Sequence, residues 1–254
     1  NPQNLLIASS GGMANPFVVF GSYLVLPTVV CLVAAWLVLR VLYRDAFSSE
    51  EFVYEPMPAC ERNYAILVQC SLAIILLLIA VNVASSVLTG GITISLALIA
   101  LFAALPLLLF SKRRVTLLKN IDWCTLVFFA AMFVLMASVW QTGFFQSFVT
   151  AGFTTDVPAI LPTSVIISQF ISNVPFVALF QPIILQAGGG LPQLMALAAG
   201  STIAGNLTII GAASNVIIIQ QAEKRGETLT FVEFFRAGAP LTIIQILIYW
   251  IFLG

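Results

Sequence analysis

Uncharged, largely apolar runs at 1–39, 63–111, 123–155, 157–222 and 237–254 dominate the chain, and the charged residues are bunched between them. A transmembrane helix needs ~20 mostly apolar residues, so each run has room for at least one crossing. The pattern predicts full crossings at about 17–43, 64–88, 92–110, 121–140 and 240–253, with Gly90-Gly91 breaking the second from the third. The run 157–222 does not fit so simply. Pro158, Pro162, Pro175, Pro182 and Pro192, with Gly188, Gly189 and Gly190, cut it into pieces too short for two ordinary spans. "PAILPTSVIISQFISNVPFVALFQPIILQ" reads as two half-length helices meeting at Asn173, a hairpin over about 157–187. Residues 192–221 then form one long segment interrupted by "GNLTIIGAASN" (205–215). Unbroken, that segment would run about 45 Å, against a hydrocarbon core of ~30 Å. Some of its residues must do something other than climb.

Charge placement tests this layout, because short cytoplasmic loops collect Lys and Arg. Arg40, Arg44 and Arg62 lie between the first two crossings, and Lys112, Arg113, Arg114 and Lys119 between the third and fourth. Two crossings separate these groups, so both belong inside. Lys224, Arg225 and Arg236 reach the same side only if 144–222 makes an odd number of passes. A hairpin that enters and leaves by one face, followed by one spanning segment, gives that. All ten bases then fall on the cytoplasmic side of a plasma-membrane protein.

Composition sharpens the class. The chain is 61% hydrophobic and 8% charged, where a soluble domain would be roughly 25% charged. The expected fold is an all-α polytopic membrane protein whose partner is the lipid bilayer. Ten acids balance ten bases, so no nucleic acid or other polyanion is called for. The absence of histidine removes imidazole acid–base chemistry and imidazole metal sites. Cys31, Cys60, Cys70 and Cys124 show no C-x-x-C spacing and read mainly as apolar filler. The opening "NPQNLL" has neither Met nor a positive leader, and suggests the C-terminal part of something longer.

An internal repeat gives the chain its organisation. "NLLIASSGGMANPFVVFGSYLVLP" (4–27) and "NVIIIQQAEKRGETLTFVEFFRAGAP" (215–240) each run from Asn through a short aliphatic stretch and a polar loop. Each then reaches Phe-Val-x-Phe and a Pro that opens an apolar span. The charge argument puts the first loop outside and the second inside, the arrangement of inverted-topology repeats. On this reading 1–43 ends a first repeat, 44–62 is a cytoplasmic loop, and 63–254 is the second repeat with its re-entrant hairpin and broken helix at about 192–221.

The chemistry concentrates at the breaks. Non-helical backbone at membrane depth persists only where it is buried in protein or lines a watery cavity. A half-helix start offers N–H groups to an anion, and a half-helix end offers carbonyls to Na⁺ or another hard cation. Asn206, Thr208, Ser214 and Asn215 add neutral oxygens and amides at the second break, "SNVP" (172–175) makes another polar bend, and "NPQN" (1–4) looks like the first repeat's break. Asn173, Asn206 and Asn215 are the candidate Na⁺ ligands. "LAAGSTIAG" before Asn206 is better read as close packing, as small residues in membrane helices usually are. Pro27, Pro106 and Pro240 read as simple kinks, and Asn82 as an interhelical hydrogen bond. Asp156, the one charge between Asp122 and Glu223, is a candidate proton or cation site, although a solvated loop acid is the plainer reading. No Lys or Arg lies within the presumed site.

"GNLTIIGAASNVIIIQQAEKRG" followed by "FVEFFRAGAPL" resembles the last broken helix and final span of the ion transporter superfamily, with "NPQNLLI" and "SNVPF" similar to its first-repeat break and second hairpin tip. The likeness is closest to the arsenite permease and sodium–proton antiporter branch and extends to the divalent anion:sodium symporters. In those symporters the tip carries Ser-Asn-Thr, where Ser172 and Asn173 are followed here by Val174 and Pro175. The resemblance implies Ser172 and Asn173 at a substrate-facing tip, beside which Pro175 fixes the backbone of the bend. It also implies Gly205, Asn206, Thr208, Gly211, Ser214 and Asn215 in an unwound stretch around ion and substrate, and Asn1 and Asn4 as first-repeat counterparts. It implies an upstream first hairpin and membrane dimers.

The expected activity is secondary active transport of a small anion or oxyanion, coupled to Na⁺ or H⁺ by alternating access, with no cofactor beyond the co-transported ion. A sodium–proton antiporter and a passive anion channel are the alternatives. Enzymatic chemistry is not expected: an intramembrane hydrolase needs a nucleophile–base pair or paired aspartates, and the chain offers neither.

Overall fold

The structure is a computed structural model that describes residues 2–10, 13, 15–45, 62–88, 94–112, 114–121, 123–143, 156–223 and 226–254. Its elements are helices: α1 (Pro2–Ser10), α2 (Pro16–Leu42), α3 (Arg62–Leu88), α4 (Leu96–Phe110), α5 (Arg114–Lys119), α6 (Trp123–Gln141), α7 (Val157–Ile171), α8 (Asn173–Gln186), α9 (Leu191–Leu207), a 3₁₀ turn (Ile209–Gly211), α10 (Ala213–Glu223) and α11 (Phe231–Leu253). Contacts divide the chain into two compact units, one of residues 1–13, 20–50 and 129–254, the other of 14–19 and 51–128.

Among the described residues three stretches are long and apolar enough to cross a bilayer: Pro16–Leu42, Asn63–Ser85 and Phe231–Leu253. They leave large apolar side chains uncovered, among them Leu32 (65% exposed), Val41 (77%) and Ile251 (80%). Water would penalise that surface by ~25 cal/mol per Å²; lipid does not. Pro27, Pro106 and Pro240 all lie inside helices that continue past them. The smaller unit holds an internal polar clamp. The buried Asn82 side chain donates to Ile94 O at 3.1 Å and accepts from Ile94 N at 3.2 Å, tying α3 to the residues that lead into α4. The expected interhelical bond is thus a helix-to-loop bond, because Ile94 lies two residues before α4 begins.

Two boundaries differ from expectation. The final span begins at Phe231, nine residues before the Pro240 taken from the pattern. Thr230 and Glu233 form a reciprocal capping box there, with Thr230 Oγ1 accepting from Glu233 N at 3.3 Å and Glu233 Oε2 accepting from Thr230 N at 2.9 Å. The cap starts the helix ahead of the apolar run, so Pro240 sits inside it and opens nothing. Pro27 is likewise internal to α2. The basic stretch after α4 also forms a short helix, α5, which the pattern does not announce. Gly90 and Gly91 lie outside the described residues, as do the breaker's effects.

Burial is concentrated elsewhere. Among α7, α8 and α9 the side chains of Ile160, Leu161, Phe176, Phe180, Ile184, Met195 and Leu197 are closed off almost completely. The elements too short to span thus form the best-packed part of the larger unit. Small residues make the approach close. Gly200 of α9 lies so near α7 that a Cβ would sit 2.7 Å from Ser164 Cβ and 3.1 Å from Leu161 O. Gly238 of α11 meets Asn206 O in the same way. Packing is therefore what the Gly200 end of "LAAGSTIAG" does.

The contact pairs give directions. Gly200 lies beside Ser164, and Ala204 O accepts from Gln169, so α7 and α9 run parallel. The hairpin makes α8 antiparallel to both. Gln3 Nε2 donates to Thr202 Oγ1 at 3.4 Å and Gln181 Nε2 to Ile7 O at 3.3 Å, so α1 runs in the sense of α8. Measured along the axes at 1.5 Å per residue, Gln3 stands about 8 Å and Ile7 about 13 Å from the level where α7 and α9 end.

Candidate functional site

At that level α7 and α9 end and α8 begins. Helix α7 ends at Ile171 and α8 begins at Asn173, with Ser172 between them at φ 64, ψ 164. The helices therefore meet one residue before the expected Asn173, which opens α8. A non-glycine residue in this backbone region costs of order 1–3 kcal/mol. Ser172 N donates to Ser168 O, and Ser172 O accepts from Phe176 N, so the strained residue closes one helix and starts the next. Pro175 sits in the first turn of α8, where a missing N–H costs nothing. The first-turn amides of Asn173 and Val174 have no intrahelical acceptor.

The second break lies where "GNLTIIGAASN" places it. Helix α9 stops at Leu207, Thr208 and Ala212 are extended, and the 3₁₀ turn lies between them. Helix α9 leaves its last carbonyls unpaired by geometry, and side-chain amides take two of them. Gln169 Nε2 donates to Ala204 O at 2.9 Å, and Asn215 Nδ2 donates to Gly205 O at 2.6 Å and to Thr208 O at 3.4 Å. Thr208 Oγ1 donates to Gln169 Oε1 at 2.6 Å. Asn206 Nδ2 donates to Gln245 Oε1 of α11 at 2.8 Å. Gly211 is required by this crowding, since a Cβ there would strike Ala204 O and lie 2.8 Å from Gln169 Oε1. At Gly205 a Cβ would stand 3.0 Å from Ala212 Cβ.

The candidate residues thus fall into groups. Ser172, Asn173 and Pro175 form the hairpin tip; Gly205, Asn206, Thr208, Gly211 and Asn215 form the second break, joined to α7 through Gln169. Ser214 is exposed at the start of α10. Asn4 lies on α1, half-buried, and Asn1 lies outside the described residues. Asp156 is exposed ahead of α7, about 22 Å of helix away from the tip, so the structure does not bring it to the breaks.

The amides differ in a way the sequence does not show. Asn206 and Asn215 spend their N–H groups on protein acceptors. Asn173 is buried, and its Oδ1 has no hydrogen-bond partner; Asn4 Oδ1 is also buried without one. Asn15 Oδ1, Ser71 Oγ, Ser168 Oγ and Thr242 Oγ1 share that state, which costs about 1–3 kcal/mol for each group, so it is the place of Asn173 at the hairpin tip that makes its oxygen a candidate to receive a cation or a donor from outside the protein. Helices α1, α7, α8 and α9 and the 3₁₀ turn carry no charged side chain. Among the described residues no cluster of His, Cys, Asp or Glu could hold a metal, so a cation would meet amide, hydroxyl and carbonyl oxygens. Sequence reasoning missed Gln169 and Gln245. Their signal was the one used for Asn173: an amide inside an otherwise apolar run.

Comparison with known proteins follows the same lines. A family model described as citrate transporter matches residues 1–193. A 46 kDa membrane protein of Mycobacterium leprae is 30% identical across the whole chain, and a protein of Mycobacterium tuberculosis H37Rv named as an uncharacterised transporter is 31% identical across the whole chain. The chain spans 62% of the length of each. The P protein of Mus musculus is 34% identical over 176 residues, covering 61% of this chain and 21% of that protein. No solved structure matches the chain. The tandem of helical hairpin and broken helix, the lipid-ready spans and these similarities lead to one assignment: the chain is a multi-pass membrane protein that belongs to the citrate transporter family of the ion transporter superfamily.

Proposed function

We propose that the protein is a secondary active transporter that moves a small anion or oxyanion, coupled to Na⁺ or H⁺, by alternating access across the plasma membrane. The observation that carries this reading is Asn173: a buried amide oxygen without a partner, at a strained hairpin tip, level with the interrupted end of α9. Stability alone does not favour such a group. The N-terminal turn of α8 supplies N–H groups and positive dipole for an anion, and amide oxygens serve a cation bound beside it. With no Lys or Arg at the breaks, a co-bound cation is the natural source of neutralising charge. The parallel course of α7 and α9 supports a hairpin that enters and leaves by one face. The shared order of α1–α2 and α10–α11, a short helix and a loop followed by Phe-Val-x-Phe at the start of a long proline-containing helix, supports inverted repeats. The description of the family makes citrate the first solute to try, with the arsenite-like and inorganic oxyanions behind it.

The test is uptake by the full-length protein in sealed proteoliposomes. Labelled citrate, succinate, phosphate and arsenite are offered with an inward Na⁺ gradient, an inward H⁺ gradient, or neither. Accumulation of one solute above equilibrium under one gradient is expected. Flux that only equilibrates, indifferent to both gradients, would replace this reading with a passive channel. Cation exchange without solute uptake would replace it with sodium–proton antiport.

A further inference from the structure

The geometry points to Gln169 as the positioning residue of the second break: its amide takes, at the carbonyl end of α9, the place that a bound cation would otherwise have. This rests on the transporter reading above and adds to it which group holds the break open.

The carboxamide touches every part of the interruption. Its Nε2 donates to Val165 O in its own helix at 2.8 Å and to Ala204 O in the last turn of α9 at 2.9 Å. Its Oε1 accepts from the hydroxyl of Thr208, the first residue beyond α9, at 2.6 Å. Its amide also lies against the Cα of Gly211 at the end of the 3₁₀ turn, where a Cβ would come within 2.8 Å of Oε1 and 3.2 Å of Nε2. One side chain therefore spans the gap from the end of α9 to the turn and anchors both to α7. Both Nε2 hydrogens and Oε1 are committed, so the carboxamide has no donor left to offer a transported solute. Together with Asn215 on Gly205 O and Thr208 O, it satisfies by tethered N–H groups the carbonyls that a hard cation would ligate. Two of the four carbonyls at the end of α9 are thereby held by protein donors rather than offered to a metal ion, which leaves the unpartnered Asn173 Oδ1 at the hairpin tip as an acceptor for substrate or coupling ion.

A merely structural glutamine would change how much protein folds; a positioning glutamine changes the site in the protein that does fold. Gln169→Ala, Gln169→Glu and Thr208→Val are compared with wild type as full-length protein in proteoliposomes, with equal pH on both sides and a fixed Na⁺ gradient. Transport is normalised to folded protein. Gln169→Ala is expected to raise KM for the transported solute about tenfold, the equivalent of one lost buried hydrogen bond to an orphaned carbonyl. Thr208→Val leaves the Nε2 bonds in place and should raise KM less. Gln169→Glu is the sharper probe. Its ionised form repels Ala204 O and Val165 O, and its neutral form restores one donor. KM relative to wild type should therefore fall several-fold between about pH 8 and about pH 5.5, as a half-buried carboxyl facing two carbonyls protonates. The elements packed on this position bring few competing groups: α8, α9 and the 3₁₀ turn carry none, and α11 carries Glu233, Arg236 and Tyr249.

Hydrogen exchange of the same variants, read by peptide, is independent of transport. Gln169→Ala should speed exchange about tenfold within 205–215 while α8 and the first three turns of α9 stay protected. Unchanged KM in Gln169→Ala, a pH-independent Gln169→Glu, or faster exchange spread evenly over α7–α9 would each overturn the assignment. If the wild type moves no solute, the transporter reading fails, and the exchange pattern alone still decides the role of Gln169.

Discussion

Two asparagines of the same type, both at breaks, have opposite consequences for stability. Asn215 Nδ2 caps the carbonyls of Gly205 and Thr208, so Asn215→Ala strips a buried acceptor of its donor and should cost about 1–3 kcal/mol. Asn173 Oδ1 is buried with nothing to accept from. Asn173→Ala should therefore leave the thermal midpoint unchanged or raise it, while transport falls at least about a hundredfold, the scale of a lost buried ligand. A drop in the midpoint of Asn173→Ala as large as that of Asn215→Ala would show that both are structural. Gly211 makes a third case. Its hydrogen is all that fits between Ala204 O and the Gln169 amide, so Gly211→Ala overpacks the break by about 1–3 kcal/mol and should lower both stability and transport.

Among the elements, the hairpin rests on two devices, a strained joint and a seam of small residues. Ser172 at φ 64, ψ 164 holds a conformation that glycine adopts freely and β-branched residues resist. Ser172→Gly should be tolerated, and Ser172→Val should lower the thermal midpoint by several degrees, as a loss of about 1–3 kcal/mol does. Along the seam, Gly200→Ala should be destabilising because of Ser164 Cβ. Adding Ser164→Gly should recover part of the loss, a coupling measurable by a double-mutant cycle. These elements were largely legible in the sequence. Most of the prolines and glycines that cut 157–222 stand at helix ends, while Pro162 and Pro182 lie inside helices that continue past them, and the excess length of 192–221 announced the interruption at 208–212. The joint was misplaced by one residue because Pro175 drew attention to the start of α8 and nothing in the letters marks a serine with positive φ. The start of α11 was missed although Thr230 and Glu233 spell the capping box, because hydropathy favoured Pro240. What remained hidden were the partners of each amide. Gln169 and Thr208 are 39 residues apart, and only tertiary packing sets which of the amides are spent and which are free.

For the whole molecule, the arrangement of bases predicts a topology that labelling can check. In a cysteine-free background, cysteines at Tyr43, Lys112 and Gly226 should react from one face of the membrane and a cysteine at Thr142 from the other. A cysteine at Gly226 that reacts with Thr142 instead would mean an even number of passes in 144–222 and would remove the one-face hairpin. The close packing of α7 against α9 also bears on how the protein is made. A 15-residue helix such as α7 is about 22 Å long and cannot bridge a hydrocarbon core of ~30 Å. Its partners, α9 and α11, are encoded after it. During synthesis the hairpin therefore reaches the insertion machinery with the α9- and α11-covered face of α7 still open, and it must wait there, or at the bilayer edge, until the ribosome has delivered the rest. Chains halted just before Leu191 should remain bound to the machinery or be degraded, whereas chains that run to Gly254 should leave it with the hairpin sealed.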